Sequence, residues 1–230
     1  MEVRRGQSQS GAMPLRTLRF ALLLCGFVPP PDTTAATILD EVAVRIYDTA
    51  GVAAGVRTAA LRTASNTVAS AGASIQWRFC HANGGPCASS PQPGELILRI
   101  VHAPVTAAPG SSLARLRSAA GLPLGDAYVD VGQAAGVLAT VYFDRVTRLA
   151  VESGTDVATL LGYAIAHEIG HLLLASNAHG THGLMRPLWS SRELRRGRAV
   201  DWAFAEGEAA AIRARLEASR IRTHAMWGLR

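Results

Sequence analysis

The apolar stretch from residue 157 to residue 174 constrains the fold most, because acidic and imidazole side chains interrupt it only in its second half. These side chains are His167, Glu168 and His171. Thr155 or Asp156 can cap a helix at the start of the stretch. The pattern predicts a buried helix of about 157–174, and its titratable residues argue against a membrane span.

The segment His167-Glu168-x-x-His171 gives this helix a chemical function. Positions i and i+4 of a helix lie on the same face, one turn apart. Two imidazoles placed in this way can bind one zinc ion, and Glu168 can reach a water molecule on that ion. Zinc lowers the pKa of bound water to about 7, and a carboxylate can then take its proton. Burial of two unpaired histidines and a glutamate is costly, so the segment predicts a zinc cofactor.

The motif, a downstream histidine and Gly183-Leu184-Met185 together resemble the metzincin clan of zinc peptidases. The pattern of that clan is H-E-x-x-H-x-x-G-x-x-H with a later Met-turn. The resemblance covers about residues 167–185, together with the strand and helix order before them. It implies a zincin-like fold, three histidine ligands, Glu168 as general base and Met185 beneath the metal. The stretch also resembles uncharacterised exported bacterial proteins.

The third ligand is shifted relative to the clan's pattern. Leu174 stands where the clan has glycine, and Asn177 stands where it has the third histidine. We expect the helix to continue through Leu174 and to end at Asn177 in a left-handed conformation. The chain then offers His179, six residues before Met185, as the third metal ligand. His182 is the alternative third ligand.

Other zinc hydrolases fit the sequence less well. Glu193 as third ligand would give a thermolysin-like arrangement. Peptide deformylase uses a cysteine ligand from a Glu-Gly-Cys strand, and neither Cys80 nor Cys87 lies in one. Some metzincins carry a tyrosine two residues past the methionine, where this chain has Pro187, so no tyrosine ligand is implied there.

The rest of the chain predicts an α+β fold, in which helices cover one face of a small mixed sheet. Alternating and β-branched residues predict four strands, at 42–47, 74–80, 95–102 and 138–143. Helical spacing predicts four helices, at 52–71, 144–152, 157–174 and 206–221. By resemblance to zincins, we expect substrate to add as a strand along a sheet edge, with 136–143 as the candidate; the alternative is an ordinary strand.

The N-terminus predicts a signal peptide at 1–36, with one metallopeptidase domain at 37–230. Arginines precede an apolar run at 20–28, and small residues follow at 33–36. This run is shorter than the ~20 residues that span a bilayer. A lipoprotein anchored at Cys25 is the alternative, but the bulky Leu24 precedes that cysteine. We therefore expect secretion or release into the periplasm, and no stable membrane span in the mature chain.

Cys80 and Cys87 have six residues between them, including Asn83-Gly-Gly-Pro86. In an exported chain this spacing predicts one disulfide that closes a turn, with two thiols as the alternative.

The net charge of +6 does not point to nucleic acid. All 23 basic residues are arginine, which together with the many alanines and glycines is typical of a GC-rich genome. The dense basic cluster lacks interleaved aromatic residues and predicts a solvated face rather than a nucleic-acid site. Its members are Arg192, Arg195, Arg196 and Arg198.

These patterns predict a secreted, zinc-dependent endopeptidase that hydrolyses peptide or protein substrates. The metal ligands are His167, His171 and His179, and Glu168 is the general base. The alternative is an exported zinc-binding module without catalysis, in which a fourth protein ligand such as His182 closes the metal's coordination shell.

Overall fold

A computed structural model describes most of the chain after residue 39. The described residues are 40–80, 87–104, 122–130, 132, 135–197 and 199–227. The predicted signal peptide at 1–36 lies outside them, and so do most of the turn between the two cysteines and most of the connection at 103–126.

The centre of the fold is a five-stranded mixed sheet in the order β2-β1-β3-β5-β4. Its strands are β1 (Asp40–Asp48), β2 (Ala73–Cys80), β3 (Leu96–Val101), β4 (Gly125–Asp130) and β5 (Ala135–Tyr142). The first three strands and β5 pair in parallel, and β4 pairs with β5 in the antiparallel direction. The described strands at the two edges are therefore β2 and β4.

Strand β4 was not predicted, and its presence corrects one expectation. The segment at 136–143 was expected to form the edge of the sheet, but β5 pairs with β3 on one side and β4 on the other. The sequence Gly125-Asp-Ala-Tyr-Val-Asp130 gives a weak strand signal, because glycine and aspartate are rare in strands. A strand at the rim of a sheet tolerates such residues more readily than an interior one.

Alternation along the strands divides the sheet into an apolar face and a polar one. Ile46, Leu98 and Ala139 lie side by side in adjacent strands, and each is fully buried. Arg45, Arg99 and Thr140 point to the opposite face, as the period of two requires. The apolar face belongs to the same core as the buried faces of the helices. The prediction of an α+β fold, with a small mixed sheet and helices on one face, is confirmed.

The helices are close to those predicted, with one addition. They are α1 (Ala54–Ala69), α2 (Phe143–Ser153), α3 (Val157–Leu174), α4 (Ser191–Arg196) and α5 (Glu206–Trp227), with a 3-10 turn at Ala199–Trp202. The predicted bounds of α3 match the structure. This helix has the length and hydropathy of a membrane span, but 78% of it is buried inside the fold, as is typical of a core helix. The short helix α4 was missed.

The predicted disulfide between Cys80 and Cys87 is present, with the two Cα atoms 5.4 Å apart. It begins at the last residue of β2, so it links Cys87 covalently to the end of that strand.

Candidate metal centre

Helix α3 positions the central part of the site. The carboxylate of Asp156 caps its first turn by accepting a hydrogen bond of 2.8 Å from the backbone N–H of Thr159. The apolar residues that surround the motif anchor the helix in the core. His167, Glu168 and His171 are consequently buried, at 8%, 6% and 4% exposure. Their burial places three titratable groups where water cannot easily solvate them.

The end of α3 determines where the chain goes next. Ala175 adopts the left-handed conformation, with φ of 46°. The prediction that Asn177 would end the helix in this conformation is therefore wrong, and the turn begins two residues earlier. Behind the turn, the carbonyl oxygen of Ser176 lies 2.7 Å from Nδ1 of His171. The same turn sends the chain back across α3 and brings His179 over the motif.

His179 lies close to the two histidines of α3. The ring of His179 lies 5.4 Å from that of His167 and 4.8 Å from that of His171, centroid to centroid. One ring nitrogen from each of the three falls within 4.8 Å of the others. His179 is exposed, whereas the other two are buried. The structure thus brings together all three residues that were predicted as metal ligands.

The hydrogen bonds of the two buried rings fit a metal site. Nδ1 of His167 lies 2.8 Å from the carbonyl oxygen of Leu184, and Nδ1 of His171 faces Ser176. A carbonyl oxygen can only accept, so each Nδ1 carries the proton, and each Nε2 of a neutral ring presents a lone pair. These two Nε2 atoms are 3.1 Å apart. Two nitrogen ligands of tetrahedral zinc are separated by about 3.3 Å, given its bond lengths. Without a cation, such close lone pairs repel each other, so the donor set fits a zinc ion.

Burial keeps both rings in the neutral form that binds metals. Burial lowers the pKa of His167 to about 3, against the opposing effect of its hydrogen bond to Leu184. Burial also lowers the pKa of His171, and the hydrogen bond to Ser176 opposes this. At neutral pH, protons therefore compete little with a metal ion for either ring.

Glu168 lies on the same helix, with its carboxyl group against the edge strand. Burial raises the pKa of Glu168 to about 8, and the negative charge of Asp126 adds to the effect. A β-carbon placed on Gly125 would lie 2.6 Å from Oε1 of Glu168. Strand β4 can approach the carboxyl group this closely only because residue 125 has no side chain. Asp126, next along β4, accepts a hydrogen bond from the hydroxyl of Tyr142.

Met185 is fully buried beneath α3. A β-carbon placed on Gly170 would lie 2.7 Å from its Sδ atom, so the methionine packs directly against the backbone of the helix. The carbonyl oxygen of Met185 accepts a hydrogen bond of 2.8 Å from the N–H of Gly180, the residue after His179. The methionine segment, Leu184–Met185, is therefore hydrogen-bonded to the residue that follows the third histidine.

A cavity of about 280 Å³ opens beside the histidines. Residues from β4 and the segment before it, from α2 and α3, and from the segments on either side of Met185 form its walls. They include Leu122, Leu124, Gly125, Asp126, Leu149, Ala164, His167, Glu168, His171, His179, Arg186, Leu188 and Trp189. A pocket with mostly apolar walls and a few converging polar groups is typical of a ligand site.

The other residues considered as ligands lie apart from this cluster. His182 is exposed, and its Nδ1 lies 3.2 Å from the hydroxyl of Thr181. Glu193 forms an ion pair of 2.6 Å with Arg186 and caps the start of α4. Sequence reasoning missed the contributions of Gly125 and Trp189. For Gly125 the sequence offered one signal, the pair Gly125-Asp126 at the start of the short segment that ends at Asp130.

No protein-family model matches this chain, and no curated protein matches its sequence. Among solved structures, the chain is similar to the crystal structure of archaemetzincin from Methanopyrus kandleri. The sequences are 13% identical, the TM-score is 0.46, and the match covers 80% of this chain and 99% of that chain.

Proposed function

We propose that this protein is an exported, zinc-dependent peptidase. His167, His171 and His179 hold the metal, and Glu168 is the general base. The observation that carries the proposal is the arrangement of the two buried rings. Both donate Nδ1–H to backbone carbonyls, and both direct Nε2 to a common point where His179 also lies. Together the three rings offer three nitrogen atoms that lie within 4.8 Å of one another.

Glu168 provides the proton acceptor. When bound, zinc supplies Lewis acidity and lowers the pKa of a water molecule to about 7. The carboxyl group of Glu168 lines the same cavity as the histidines. A cation held by the three rings favours its carboxylate form, against the effect of burial. In that form the carboxylate of Glu168 would accept the proton of the attacking water and return it to the leaving amine.

Strand β4 is the surface on which we place the substrate. It is an edge strand among the described residues, and Gly125 sets it directly against Glu168. An extended peptide paired with this edge runs past the metal-binding rings with its carbonyl groups near Glu168. Strand addition fixes the backbone through hydrogen bonds, and pockets for alternate side chains give specificity.

The number of histidines in the cluster favours a peptidase over a binding module without catalysis. A catalytic zinc site has three protein ligands and keeps one position for water or substrate, whereas a structural site has four. Among the described residues, the cluster contains three histidines, and His182 is not one of them. Export is supported by the disulfide between Cys80 and Cys87, which is typical of an oxidising compartment.

Metal analysis of the purified protein tests the first step. We expect one zinc ion per chain in the wild type and loss of zinc in the His167→Ala, His171→Ala double variant. His179→Ala should also weaken zinc binding, and His182→Ala is the matched control that should leave it unchanged. Full zinc retention in the double variant would exclude this site. Greater zinc loss in His182→Ala than in His179→Ala would make His182 the third ligand.

Glu168→Gln tests the catalytic role. The variant should retain zinc and lose cleavage by a factor of about 100 or more, because general base catalysis is typically worth that much. Peptides blocked at both ends serve as substrates, since only an endopeptidase cleaves them. Cleavage of casein that a chelator abolishes would exclude the binding-module alternative. A zinc-loaded wild type that cleaves neither casein nor the peptides would support that alternative.

A further inference from the structure

His179 differs from the other two metal-binding histidines in how its side chain is held. The rings of His167 and His171 are buried, and each faces a backbone carbonyl through Nδ1. The ring of His179 is exposed, and it forms no comparable hydrogen bond among the described residues. A metal-binding histidine is usually oriented by such a bond. The position of His179 therefore depends on the path of its backbone.

The backbone that follows His179 lies against the start of α5. A β-carbon placed on Gly180 would lie 2.7 Å from Oε1 of Glu208, so this carboxylate packs directly on the residue next to His179. The other oxygen, Oε2, accepts a hydrogen bond of 2.7 Å from the backbone N–H of Ala205. This bond fixes the carboxylate at the first turn of α5, as the glutamate of a capping box is fixed.

A second contact holds the other end of the loop 179–184. The backbone N–H of Leu184 donates to the carbonyl oxygen of Ala203 at 2.8 Å. Gly183 has φ of 74°, and a β-carbon placed on it would lie 2.7 Å from the same oxygen. Residues 203–208 are therefore in contact with the loop near both of its ends.

The same residues are also in contact with the helix that carries the other two histidines. Phe204 is buried, and a β-carbon placed on Gly170 would lie 2.7 Å from its Cε1 atom. Gly170 immediately precedes His171 on α3. The start of α5 thus joins both parts of the metal site, and it sets the position of the loop of His179 relative to α3.

We propose that Glu208 is a positioning residue for the third metal ligand. It acts through Gly180, by holding the backbone beside His179 where the ring of that histidine meets those of His167 and His171. This inference rests on the zinc site of the proposed function. A ligand that is already in place binds a metal more tightly than one that must be ordered at the moment of binding, because less conformational entropy is lost.

Zinc affinity, measured by competition with a chelator, gives the first test. Glu208→Ala should lower the affinity about tenfold, as is typical when a group that orients a metal ligand is removed. Glu208→Gln keeps the length of the side chain and an oxygen that can accept from Ala205, so it should retain most of the affinity. Glu206→Ala is the matched control, because Glu206 is an exposed acidic residue of the same helical turn, and it should leave the affinity unchanged.

A double-variant cycle with His179→Ala separates positioning from a general effect on the fold. If Glu208 acts through His179, then Glu208→Ala should change the zinc affinity very little once the imidazole is absent. A merely structural role would lower the affinity by the same factor in both backgrounds. Gly180→Ala should also lower the affinity, and it should do so less in the Glu208→Ala background, where the carboxylate that meets the new β-carbon is gone.

The outcomes distinguish this inference from the proposed function. Unchanged zinc affinity in Glu208→Ala, an equal loss in Glu206→Ala, or the same loss with and without His179 overturns the positioning role and leaves the zinc site standing. A wild type that binds zinc and cleaves no peptide overturns the peptidase function, and the affinity cycle then still decides about Glu208. A wild type that binds no zinc overturns both.

Discussion

The Nδ1 atom of His167 lies 2.8 Å from the carbonyl oxygen of Leu184, the residue immediately before Met185. This contact joins the middle of α3 to the methionine segment. It fixes the proton on Nδ1 and leaves Nε2 as the metal-binding atom. The backbone of the methionine segment therefore determines the orientation of a metal ligand, and anything that displaces the segment should change metal affinity.

Gly170→Ala should displace that segment. The added β-carbon would meet Sδ of Met185 and Cε1 of Phe204, each at 2.7 Å. We expect the free energy of unfolding to fall by about 1–3 kcal/mol, the usual cost of overpacking a core. Zinc affinity should fall about 10-fold or more, as it does when the groups that orient metal ligands are disturbed. Chemical denaturation and competition with a chelator measure the two effects.

Gly207→Ala is the control for this substitution, because it also replaces a helical glycine. A β-carbon at Gly207 meets no atom within 4 Å. Its stability should stay the same or rise by up to about 1 kcal/mol, since alanine is the better helix former. Zinc affinity should not change. Equal behaviour of the two variants would contradict the tight packing between Gly170 and Met185.

The residues of the site could be predicted from the sequence where a local pattern indicated them. The spacing of His167 and His171 requires only an α-helix to bring the two rings together, and the bounds of α3 were correct. His179 could be predicted because it follows the end of α3 and lies six residues before Met185, whereas His182 lies only three before it. The edge strand could not be placed in this way. Gly125 and Asp126 are poor strand formers, and the pairing of β4 with β5 depends on contacts that no local pattern reveals.

The predicted left-handed residue after α3 was wrong for a related reason. Propensity favours asparagine over alanine in the left-handed conformation, so Asn177 was expected there. Tertiary contacts place the turn at Ala175 instead, because the carbonyl of Ser176 then meets His171. The local preference is overridden where the site requires a particular path of the chain.

Ala175→Gly should stabilise the protein. Alanine at φ of 46° costs about 1–2 kcal/mol relative to glycine in the folded state. Glycine increases the entropy of the unfolded chain, which offsets about 0.4–1 kcal/mol of this gain. We expect a net increase of up to about 1 kcal/mol in the free energy of unfolding, with the zinc affinity retained. A decrease in stability would show that the turn is not strained.

Glu95→Gln should destabilise the protein in a pH-dependent way. Glu95 is buried and forms ion pairs with Arg45 at 2.8 Å and Arg78 at 3.1 Å. Burial alone raises the pKa of Glu95, but the N–H of Gln92 and the two arginines outweigh it, so the pKa lies below 4.5. A carboxyl group with a lowered pKa stabilises the fold above its unfolded pKa, and this contribution disappears as the pH falls through the folded pKa.

The free energy of unfolding of the variant should therefore be about 2–3 kcal/mol lower than that of the wild type at neutral pH, because Arg45 is left buried without its ion pair. The difference from the wild type should shrink as the pH falls from 4.5 towards the lowered pKa of folded Glu95, because protonation then removes the charge from the wild-type carboxyl as well. Urea denaturation at several pH values measures this. Glu217→Gln is the control, since its ion pair with Arg220 is half exposed and contributes about 0.5 kcal/mol or less. A constant difference across pH would rule out the ionisation of Glu95 as the cause.

Gly125→Ala tests the contact between the edge strand and the proposed general base. The new β-carbon would lie 2.6 Å from Oε1 of Glu168 and 2.5 Å from the backbone oxygen of Thr140, so either the carboxyl group or the strand has to move. The three histidines lie outside this contact, and zinc content should stay at the wild-type level. Cleavage should fall about 10- to 100-fold, because a displacement of about 1 Å in a catalytic group has that effect. If the variant instead loses zinc, or cleaves at the wild-type rate, then Gly125 does not position Glu168.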